Sequence, residues 1–533
     1  MNFKATQIPY HATGLFSQLI RDYVDAKGTA RDFVQYAPNL EGVQKAIAAR
    51  KDFGVNRPLL VEVLKAQYGT IPSTKAVTDN INALLADNTY VVTTAHQPNI
   101  FTGPLYFFYK IIHAIQLAAE LKKKFPENNY VPVYYMGSED ADINEVGSFH
   151  LGGDPLQWQT KQTGAIGRMK VDDGLLSLLQ NLEGYWSVKA HGKEAINALK
   201  QAYKKGDTIN EATLSLVNSY FGQYGLVVLQ PDEAKLKSCF VPVMEKELLT
   251  QFSHHALQPT LATLREQYHV QTEGRNINLF YLKDNIRARI ELNEGVYTIV
   301  DTDMRFTQAE IIAELHAYPE RFSPNVILRG LYQETILPGI VFIGGGGELA
   351  YWMELKEVFA KAGVHYPVLQ LRNSFLFINN KIAKQWSDLG FAMADLFSPI
   401  NLLEATYVKA KTNNDLSLHQ SIQQMEQLYH QIQAQAIQID ATLGDHTMNL
   451  SNQSLKKVKE LEKKMLKAEK KKQAIAIERI HHIKNNLFPK NSLQERVEHF
   501  SEWVGAYDWD WVEAVLQNSN SMEQSFTIVT CSK

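Results

Sequence analysis

Short apolar runs separated by helical and polar segments recur along the chain. Residues 90–94 (YVVTT), 130–135 (YVPVYY), 225–229 (GLVVL) and 339–343 (GIVFI) are such runs. Continuous apolar runs of this length are typical of strands buried on both faces of a sheet. Because helical sequence alternates with them, they predict an α/β fold with a mostly parallel sheet. Ligands bind beyond the carboxyl ends of such strands, so the segments that follow the first, second and fourth runs are candidate sites.

The segment 151–325 interrupts this alternation. It contains the turn sequences GGD and TGAIG, and residues 287–300 (RARIELNEGVYTIV) resemble a hairpin with Asn-Glu-Gly at its turn. We interpret this segment as insertions of mixed α and β structure into the core.

Glycine and proline become scarce after about residue 380, and apolar residues then follow a heptad pattern. One series, with spacings of four and three, comprises Leu418, Ile422, Met425, Tyr429, Ile432, Ala436, Ile439 and Leu443. After a break at Gly444 and Asp445, a second series comprises Leu455, Val458, Leu461, Met465 and Ala468. Two such helices joined by a tight loop predict an antiparallel coiled coil.

These patterns divide the chain into five segments. Residues 1–150 carry the first part of the core, residues 151–325 the insertions and the continuation of the core, and residues 326–380 its last part. Residues 381–490 form the coiled coil. Residues 491–533, which are rich in tryptophan, are predicted to dock on the core.

The composition restricts the functional class. A formal net charge of −3 with 45% hydrophobic residues is typical of a soluble globular protein and gives no reason to expect nucleic acid as a partner. The lysine-rich stretch 456–472 is interleaved with glutamates, so we interpret it as a solvated coiled-coil face. No apolar run is long enough for a membrane span or an export signal. With only Cys239 and Cys531, a disulfide framework and a cysteine-based zinc site are excluded, and we expect a cytoplasmic protein.

The segment TTAHQPNIFTGPLYFFYK leads from the first predicted strand into a long apolar helix. His96, Gln97 and Asn99 are polar groups in the loop. With Thr102 as N-cap and Gly103 at the first helical position, free N–H groups would suit phosphate or carboxylate. The alternative is a capped, buried helix with an incidental histidine.

Four acidic residues lie close together after the second strand: Glu139, Asp140, Asp142 and Glu145. Their carboxylates could hold a substrate ammonium group, bind Mg²⁺ or act as a general base. In an extended loop Asp140 and Asp142 would point the same way, so we predict that one holds an amine and the other helps to remove its proton. The alternative is a solvated helix N-terminus.

Four consecutive glycines follow the fourth strand, in the sequence GGGGELAYWME. Such a run is costly in backbone entropy, and we expect a flat ligand such as adenine or ribose to lie against it. Glu348 follows at the start of the next helix. Upstream, Arg329, Gln333 and Glu334 lie near one helical face and could either point into the same cleft or form a surface network.

These segments resemble the bacillithiol-biosynthesis cysteine-adding enzymes. The resemblance is carried, in the family's order, by HQPNIFTGPLYFFYKI, VPVYYMGSEDADINEV, ERFSPNVILRGLYQETILPGIVFIGGGGELAYWMELKEVF and LFPKNSLQER. It implies a Rossmann-like core with inserted connecting segments, a long antiparallel coiled coil and a homodimer. It also implies a ligase that adds L-cysteine to the amine of glucosaminyl-malate.

The core also resembles class I aminoacyl-tRNA synthetases. At their H-I-G-H tetrapeptide this chain has Phe-Thr-Gly-Pro, so both histidines are missing and His96 would have to replace one. The sequence GGGEL is similar to the G-G-G-x-D-L loop of the cysteinyl enzymes, with Glu348 in place of the aspartate. No K-M-S-K-S motif occurs, and Arg372-Asn373-Ser374 is the nearest candidate. The cysteinyl enzymes often select cysteine with zinc, which this chain has no cysteines to bind.

Residues and resemblance together assign roles within a single expected cleft. We expect the catalytic residues to be His96, Asn99, Asp140 and Asp142. We expect ATP or ADP, with Mg²⁺ as an optional companion and no zinc, to be bound by Thr102, Gly103, Gly345, Gly346, Gly347, Glu348 and Arg496. We expect the substrates to be bound by Gln97, Tyr106, Glu139, Arg329, Gln333, Glu334, Tyr351 and Trp352.

The chemistry of activation stays open at this stage, because an adenylate and an acyl phosphate would each make the cysteine carboxyl group electrophilic. Two other functions are also compatible with the sequence. One is a nucleotidyltransferase without cysteine chemistry, and it would catalyse pyrophosphate exchange without cysteine. The other is a coiled-coil scaffold with a degenerate nucleotide fold, whose function would survive substitution of His96 or Glu348.

Overall fold

The structure, a computed structural model, describes residues 2–69 and 71–532. The chain divides into two units, each with its own internal contacts. The first contains residues 3–376 and 492–529, and the second contains residues 377–491. Within the described residues none of the helices is both long enough and apolar enough to cross a membrane.

The described residues contain fifteen strands: β1 (Asn2–Pro9), β2 (Thr89–His96), β3 (Asn129–Met136), β4 (Ser148–Leu151), β5 (Asp154–Gln157), β6 (Val227–Leu229), β7 (Leu279–Lys283), β8 (Ile286–Asn293), β9 (Val296–Ile299), β10 (Arg305–Phe306), β11 (Phe322–Pro324), β12 (Gly339–Gly344), β13 (Val368–Leu371), β14 (Ser374–Asn379) and β15 (Ser525–Ser532).

They also contain these α-helices: α1 (Tyr10–Thr13), α2 (Gln18–Asp25), α3 (Leu40–Arg50), α4 (Arg57–Tyr68), α5 (Lys75–Ala83), α6 (Tyr106–Lys124), α7 (Ile143–Val146), α8 (Asp173–Trp186), α9 (Gly192–Ala202), α10 (Ile209–Phe221), α11 (Ala234–Ser238), α12 (Val241–Thr250), α13 (Phe252–Arg265), α14 (Gln308–Ala317), α15 (Val326–Ile336), α16 (Gly346–Glu354), α17 (Lys356–Ala362), α18 (Asn380–Asp388), α19 (Ile400–Lys411), α20 (His419–Ile439), α21 (Leu443–Lys472), α22 (Ala474–Leu487), α23 (Phe500–Tyr507) and α24 (Asp510–Asn518).

A five-stranded parallel sheet forms the centre of the first unit, in the order β13-β12-β2-β3-β6. The chain runs from β2 outward to β3 and β6, and then returns to the other side of β2 with β12. The strand order therefore reverses between β2 and β12. The predicted α/β fold with a Rossmann-like parallel sheet is confirmed, and β2, β3, β6 and β12 include the four apolar runs read from the sequence, except the first two residues of the third.

The helices α3 and α6 cover this sheet with apolar side chains. Val43 of α3 and Leu117 of α6 are fully buried with Val92 of β2 and Val341 of β12. A parallel sheet covered on its faces needs apolar residues on both sides of each strand, which explains the continuous apolar runs.

The inserted region contains a five-stranded antiparallel sheet, in the order β10-β9-β8-β7-β11. Its central hairpin pairs Asn293 with Val296, as the Asn-Glu-Gly sequence predicted. The two turn residues, Glu294 and Gly295, have φ of 50° and 81°. Two positive φ angles are characteristic of the tight turns that match the twist of a hairpin.

The second unit contains the predicted antiparallel helical pair. Tyr429 of α20 and Ser454 of α21 share a hydrogen bond of 2.7 Å between their hydroxyl groups. The connecting turn lies at residues 440–442, whereas the sequence placed the break at Gly444 and Asp445; both of these residues belong to the first turn of α21. Thr442 donates to the Asp440 carboxylate through both its backbone N–H and its hydroxyl group, and this local turn ends α20 earlier.

The second predicted apolar series is wrong beyond Val458. The Leu461 side chain is half exposed. Glu462 instead accepts a hydrogen bond from the Leu418 N–H, and the buried Glu469 accepts one from the Asn414 side chain. Polar groups at the beginning of the helical pair need hydrogen-bond partners, and these two glutamates supply them.

Candidate active site

A cavity of about 700 Å³ opens at the carboxyl ends of the parallel strands. His96 ends β2, Gly137 follows β3 and Gly345 follows β12, and all three residues line it. The cavity therefore lies where the strand order reverses, which is the position at which open α/β sheets bind ligands.

Eleven of the residues selected from the sequence line this cavity: His96, Gln97, Tyr106, Asp140, Arg329, Gly345, Gly346, Gly347, Glu348, Tyr351 and Arg496. Eight others do not: Asn99, Thr102, Gly103, Glu139, Asp142, Gln333, Glu334 and Trp352. The expected single cleft therefore contains His96, Asp140 and Glu348 but not Asn99 or Gly103.

His96 is held neutral at the end of β2. Burial, together with the charges of Lys110 and Arg372, keeps its pKa well below the usual histidine value. Its Nε2 atom is buried without a hydrogen-bond partner in the described part of the chain. Its ring packs edge-on against Tyr106, with 5.2 Å between centroids. A neutral imidazole with an unused nitrogen can bind a substrate group without adding positive charge.

Lys110 and Glu348 form a buried ion pair beside the glycine run. Lys110 Nζ lies 2.5 Å from Glu348 Oε2 and donates to the Ala95 carbonyl at 2.9 Å. Burial lowers the pKa of Lys110 even though Glu348 opposes the shift. Glu348 Oε2 also accepts the N–H of Gly345, the N-cap residue of α16, at 2.8 Å. One carboxylate therefore fixes both the lysine and the glycine turn.

The glycines of this run differ in whether the surrounding protein leaves space for a side chain. A Cβ at Gly344 would lie 2.8 Å from a Phe342 ring carbon, so close packing requires glycine there. A Cβ at Gly347 would meet no protein atom within 4 Å. The space beside Gly347 is open, and its N–H belongs to the first turn of α16. Free N–H groups at a helix N-terminus favour an anion such as phosphate.

The acidic loop separates into three roles. Asp140 faces the cavity, and its Oδ1 accepts the N–H groups of Ala141 and Asp142 at 2.7 and 3.3 Å. Burial would raise the pKa of Asp140, but the charges of Arg329 and Arg287 and these N–H donors lower it. Asp140 is therefore a carboxylate at neutral pH.

The prediction that Asp142 shares the site is wrong. Its Oδ1 accepts the N–H groups of Asn144 and Glu145 at 3.1 and 3.2 Å, so Asp142 caps α7. Glu139 points away from the cavity and lies 2.5 Å from Lys237 Nζ in the interior. Glu145, the fourth acid, does line the cavity. Burial and the charges of Asp140 and Asp142 raise the pKa of Glu145.

The long helix begins where the apolar run predicted, but the predicted N-cap at Thr102 is wrong. α6 begins at Tyr106 with Leu105 as N-cap, and Thr102 and Gly103 have φ of 80° and 65°. Asn99 packs beneath this turn, because a Cβ at Gly103 would lie 2.9 Å from the Asn99 side chain. The Leu105 N–H donates to the Glu498 carbonyl at 2.9 Å and Pro104 forms an antiparallel bridge with His499, so the chain just before α6 pairs with another segment instead of being helical.

Gln333, Glu334 and Trp352 are interior residues. Glu334 accepts from Gln333 at 2.9 Å and lies beside the buried Arg50. The Trp352 ring stacks on Phe342 with centroids 4.2 Å apart. Arg329 and Tyr351 are on the same helices but line the cavity, so only the near end of α15 and one face of α16 reach it.

Arg372 is buried under the cavity, and Arg496 is exposed at its edge. Arg372 Nη2 lies 2.6 Å from Glu495, and its guanidinium lies 5.3 Å from the centre of the Tyr106 ring. Burial opposes the charged form of Arg372, but Glu495 raises its pKa overall. Two neighbouring residues of this C-terminal segment thus contribute to the site: Glu495 binds Arg372, and Arg496 lines the cavity.

Sequence reasoning missed most of the residues that the insertion contributes. The cavity is also lined by Gln271, Thr272, Glu273, Gly274, Arg275, Phe280 and Arg287. It missed Lys110 as well, although a lysine within the apolar run YFFYKII was a usable clue. In the described residues, no group of three or more His, Cys, Asp or Glu residues could hold a metal ion.

The parallel sheet, with a cavity where its strand order reverses, defines a Rossmann-like α/β protein with a polar ligand site. The chain belongs to the bacillithiol biosynthesis BshC family. Residues 1–373 match the model of its N-terminal Rossmann-like domain, and residues 375–531 match that of its C-terminal coiled-coil domain. The family resemblance seen in the sequence is confirmed.

Several relatives carry the name "Putative cysteine ligase BshC". The Flavobacterium johnsoniae protein is 39% identical over 98% of this chain and 99% of its own length. The Christiangramia forsetii protein is 36% identical, with 98% of each chain covered. The Salinibacter ruber protein is 27% identical, with 94% of each chain covered.

Proposed function

We propose that the protein is an amide-forming ligase that joins the carboxyl group of L-cysteine to the amine of glucosaminyl-malate, which gives bacillithiol. The observation that carries this proposal is the cavity at the switch point of the sheet. It combines a carboxylate suited to an amine, Asp140, with cationic groups suited to anions, in a chain of the BshC family. The relatives named as cysteine ligases support cysteine as the acyl donor.

The cysteine carboxylate has to be made electrophilic before an amine can attack it. ATP, with ADP as the alternative nucleotide, would supply this activation when bound. The N–H groups of Gly346 and Gly347, with Lys110 and Arg496 nearby, fit the phosphates. Mg²⁺, if it accompanies the nucleotide, needs only one or two protein carboxylates, and Asp140 and Glu145 line the cavity. The proposal requires no zinc.

The acidic loop would handle the amine. Asp140 stays ionised and can hold an ammonium group, whereas the raised pKa of Glu145 makes it the better proton acceptor. Glu145 thus takes the place that the sequence assigned to Asp142. His96, which is neutral, would lie beside the reacting groups without repelling a cationic amine.

The test is reconstitution with the full chain. L-cysteine, glucosaminyl-malate and Mg²⁺ are incubated with ATP, with ADP or without nucleotide, and bacillithiol is measured by mass spectrometry after thiol labelling. The proposal expects bacillithiol together with nucleotide consumption, and the nucleotide product distinguishes nucleotidyl from phosphoryl transfer. Pyrophosphate exchange that does not depend on cysteine, without any new thiol, would identify a nucleotidyltransferase instead.

Deletion of the gene provides the cellular counterpart. Cells that lack the chain are expected to lose bacillithiol and to accumulate glucosaminyl-malate. We further propose that the protein acts in the cytoplasm as a homodimer, which light scattering coupled to size-exclusion chromatography tests directly. A monomer at all concentrations would contradict the dimer and leave the ligase proposal unaffected.

A further inference from the structure

Three arginines line the cavity, and two of them, Arg287 and Arg329, are close enough to interact electrostatically. Arg275 belongs to the loop before β7, Arg287 lies on β8 of the inserted sheet, and Arg329 lies in the first half of α15. In the described part of the chain none of the three forms an ion pair within 4.0 Å. Glu273 also lines the cavity, but it is paired with Arg265 at 2.6 Å. This wall therefore carries more positive than negative charge.

The Arg287 side chain is packed against an aromatic ring, whereas Arg329 and Arg275 are positioned through their backbones. The Arg287 guanidinium lies 3.9 Å above the Phe280 ring, and its Nε is buried without a hydrogen-bond partner in the described residues. Arg329 follows the N-cap Asn325 by one turn, and its N–H donates to the Asn325 carbonyl at 2.8 Å. The Arg275 N–H donates to Asn278 at 2.9 Å, and the loop before it is bound by the buried Glu354.

Their arrangement has an electrostatic cost in the ligand-free protein. Burial and the charge of Arg329 lower the pKa of Arg287 to about 10, which means that the two guanidinium groups repel each other. Asp140, the carboxylate that opposes them, also accepts hydrogen bonds from its own loop. A ligand with two negative charges would relieve this repulsion.

We infer that Arg275, Arg287 and Arg329 bind the two carboxylates of the malate half of the amino-sugar substrate. A guanidinium fork pairs with a carboxylate through two parallel hydrogen bonds, so several forks match a dicarboxylate. The nucleotide phosphates are assigned to other elements, namely the glycine turn, Lys110 and Arg496. This inference rests on the proposed function. It assigns recognition of the malate group to Arg275 and Arg287 of the insertion together with Arg329 of the core helix α15.

The test compares Arg287→Met with a matched control on the same strand. Arg289→Met removes an arginine two residues away that does not line the cavity and whose side chain is 42% exposed beside Glu291. Affinities for glucosaminyl-malate, for L-malate alone and for ATP are measured by titration calorimetry on the full chain. We expect Arg287→Met to weaken both malate compounds by about 10- to 100-fold, the range for a lost charge-assisted interaction, and to leave ATP unchanged.

A second measurement uses an acceptor without carboxylates. With methyl glucosaminide in place of glucosaminyl-malate, Arg287→Met and the wild type should ligate cysteine equally well. The inference is overturned if Arg287→Met weakens ATP instead, or if malate affinity is unchanged. If the wild type binds malate through Arg287 yet forms no amide with either acceptor, the proposed function fails and the malate site stands.

Discussion

Among the described residues, charged side chains next to the acidic loop are paired in the protein interior but unpaired on the cavity wall. In the interior, Lys237 lies 2.5 Å from Glu139 and 2.9 Å from Asp232, and all three side chains are almost completely buried. Arg168 also pairs with Asp232, at 2.6 Å. Each charge there has its partners within the protein.

On the cavity wall, Asp140 is one residue from Glu139, yet Arg287 and Arg329 near it have no ion pair in the described residues. A buried charge that loses its partner is strongly destabilising, so each member of a paired cluster is needed by the others. Charged side chains that line a cavity without an ion-pair partner instead indicate that a charged ligand binds there. The comparison shows that adjacent acidic residues can serve stability and binding separately, and substitutions can test each side.

Asp140→Asn tests the cavity side and should have the largest effect. The loop N–H groups can still bind the amide oxygen, so folding should be unaffected, but the charge that holds the amine is lost. We expect turnover to fall by about 10²- to 10³-fold, the range for the loss of one positioned electrostatic contact. The measurement is steady-state ligation with a urea unfolding curve as control. Turnover within about two-fold of wild type, equivalent to about 0.4 kcal/mol, would remove Asp140 from the reaction.

Lys237→Met tests the interior side. It leaves the Glu139 carboxylate buried without its cation, and breaking such a pair costs about 3–5 kcal/mol of unfolding free energy. Urea denaturation measures this loss. Lys235→Met is the matched control two residues away, because Lys235 is exposed and pairs only with the exposed Glu62. Equal stability of the two variants would show that the buried cluster does not hold the fold.

Glu334 predicts how stability depends on pH. Burial raises its pKa to about 7, although Arg50 and Gln333 oppose the shift. The folded state therefore holds a proton that the unfolded chain releases above about pH 4.3, so this contribution is complete at lower pH and is lost as pH rises through 7. Over this window it amounts to at most about 4 kcal/mol. Glu334→Gln should flatten the curve of unfolding free energy between these pH values, and an unchanged slope would contradict the assignment.

Asp142→Asn should have the smallest effect and sharpens the comparison with Asp140. Asparagine is as good an N-cap as aspartate, so α7 should keep its cap. We expect turnover within about two-fold of wild type and a stability change within about 0.5 kcal/mol. A large loss of turnover with unchanged stability would return Asp142 to the site.

Local sequence patterns were sufficient to predict the parallel sheet and the three loops that meet at its edge. Strands buried on both faces require continuous apolar runs, and parallel strands bring their carboxyl ends to one edge, so both conclusions follow from local patterns. This is why His96, Asp140 and Glu348 could be placed in one cavity from the sequence. The helical pair was also predictable from its heptads. The prediction fails beyond Val458, where hydrogen bonds to polar residues replace apolar contacts between the two helices.

Contacts between distant parts of the chain determine which of several neighbouring residues faces the cavity and which faces the interior. Glu139, Asp140 and Asp142 have the same chemistry, and their directions depend on Lys237, on the arginines and on the start of α7. Arg287 lies in a hairpin whose many charged residues are typical of a solvent-exposed segment. It is also far along the chain from His96. Packing of the insertion against the sheet edge brings them together, and local side-chain periodicity carries no information about such distant contacts.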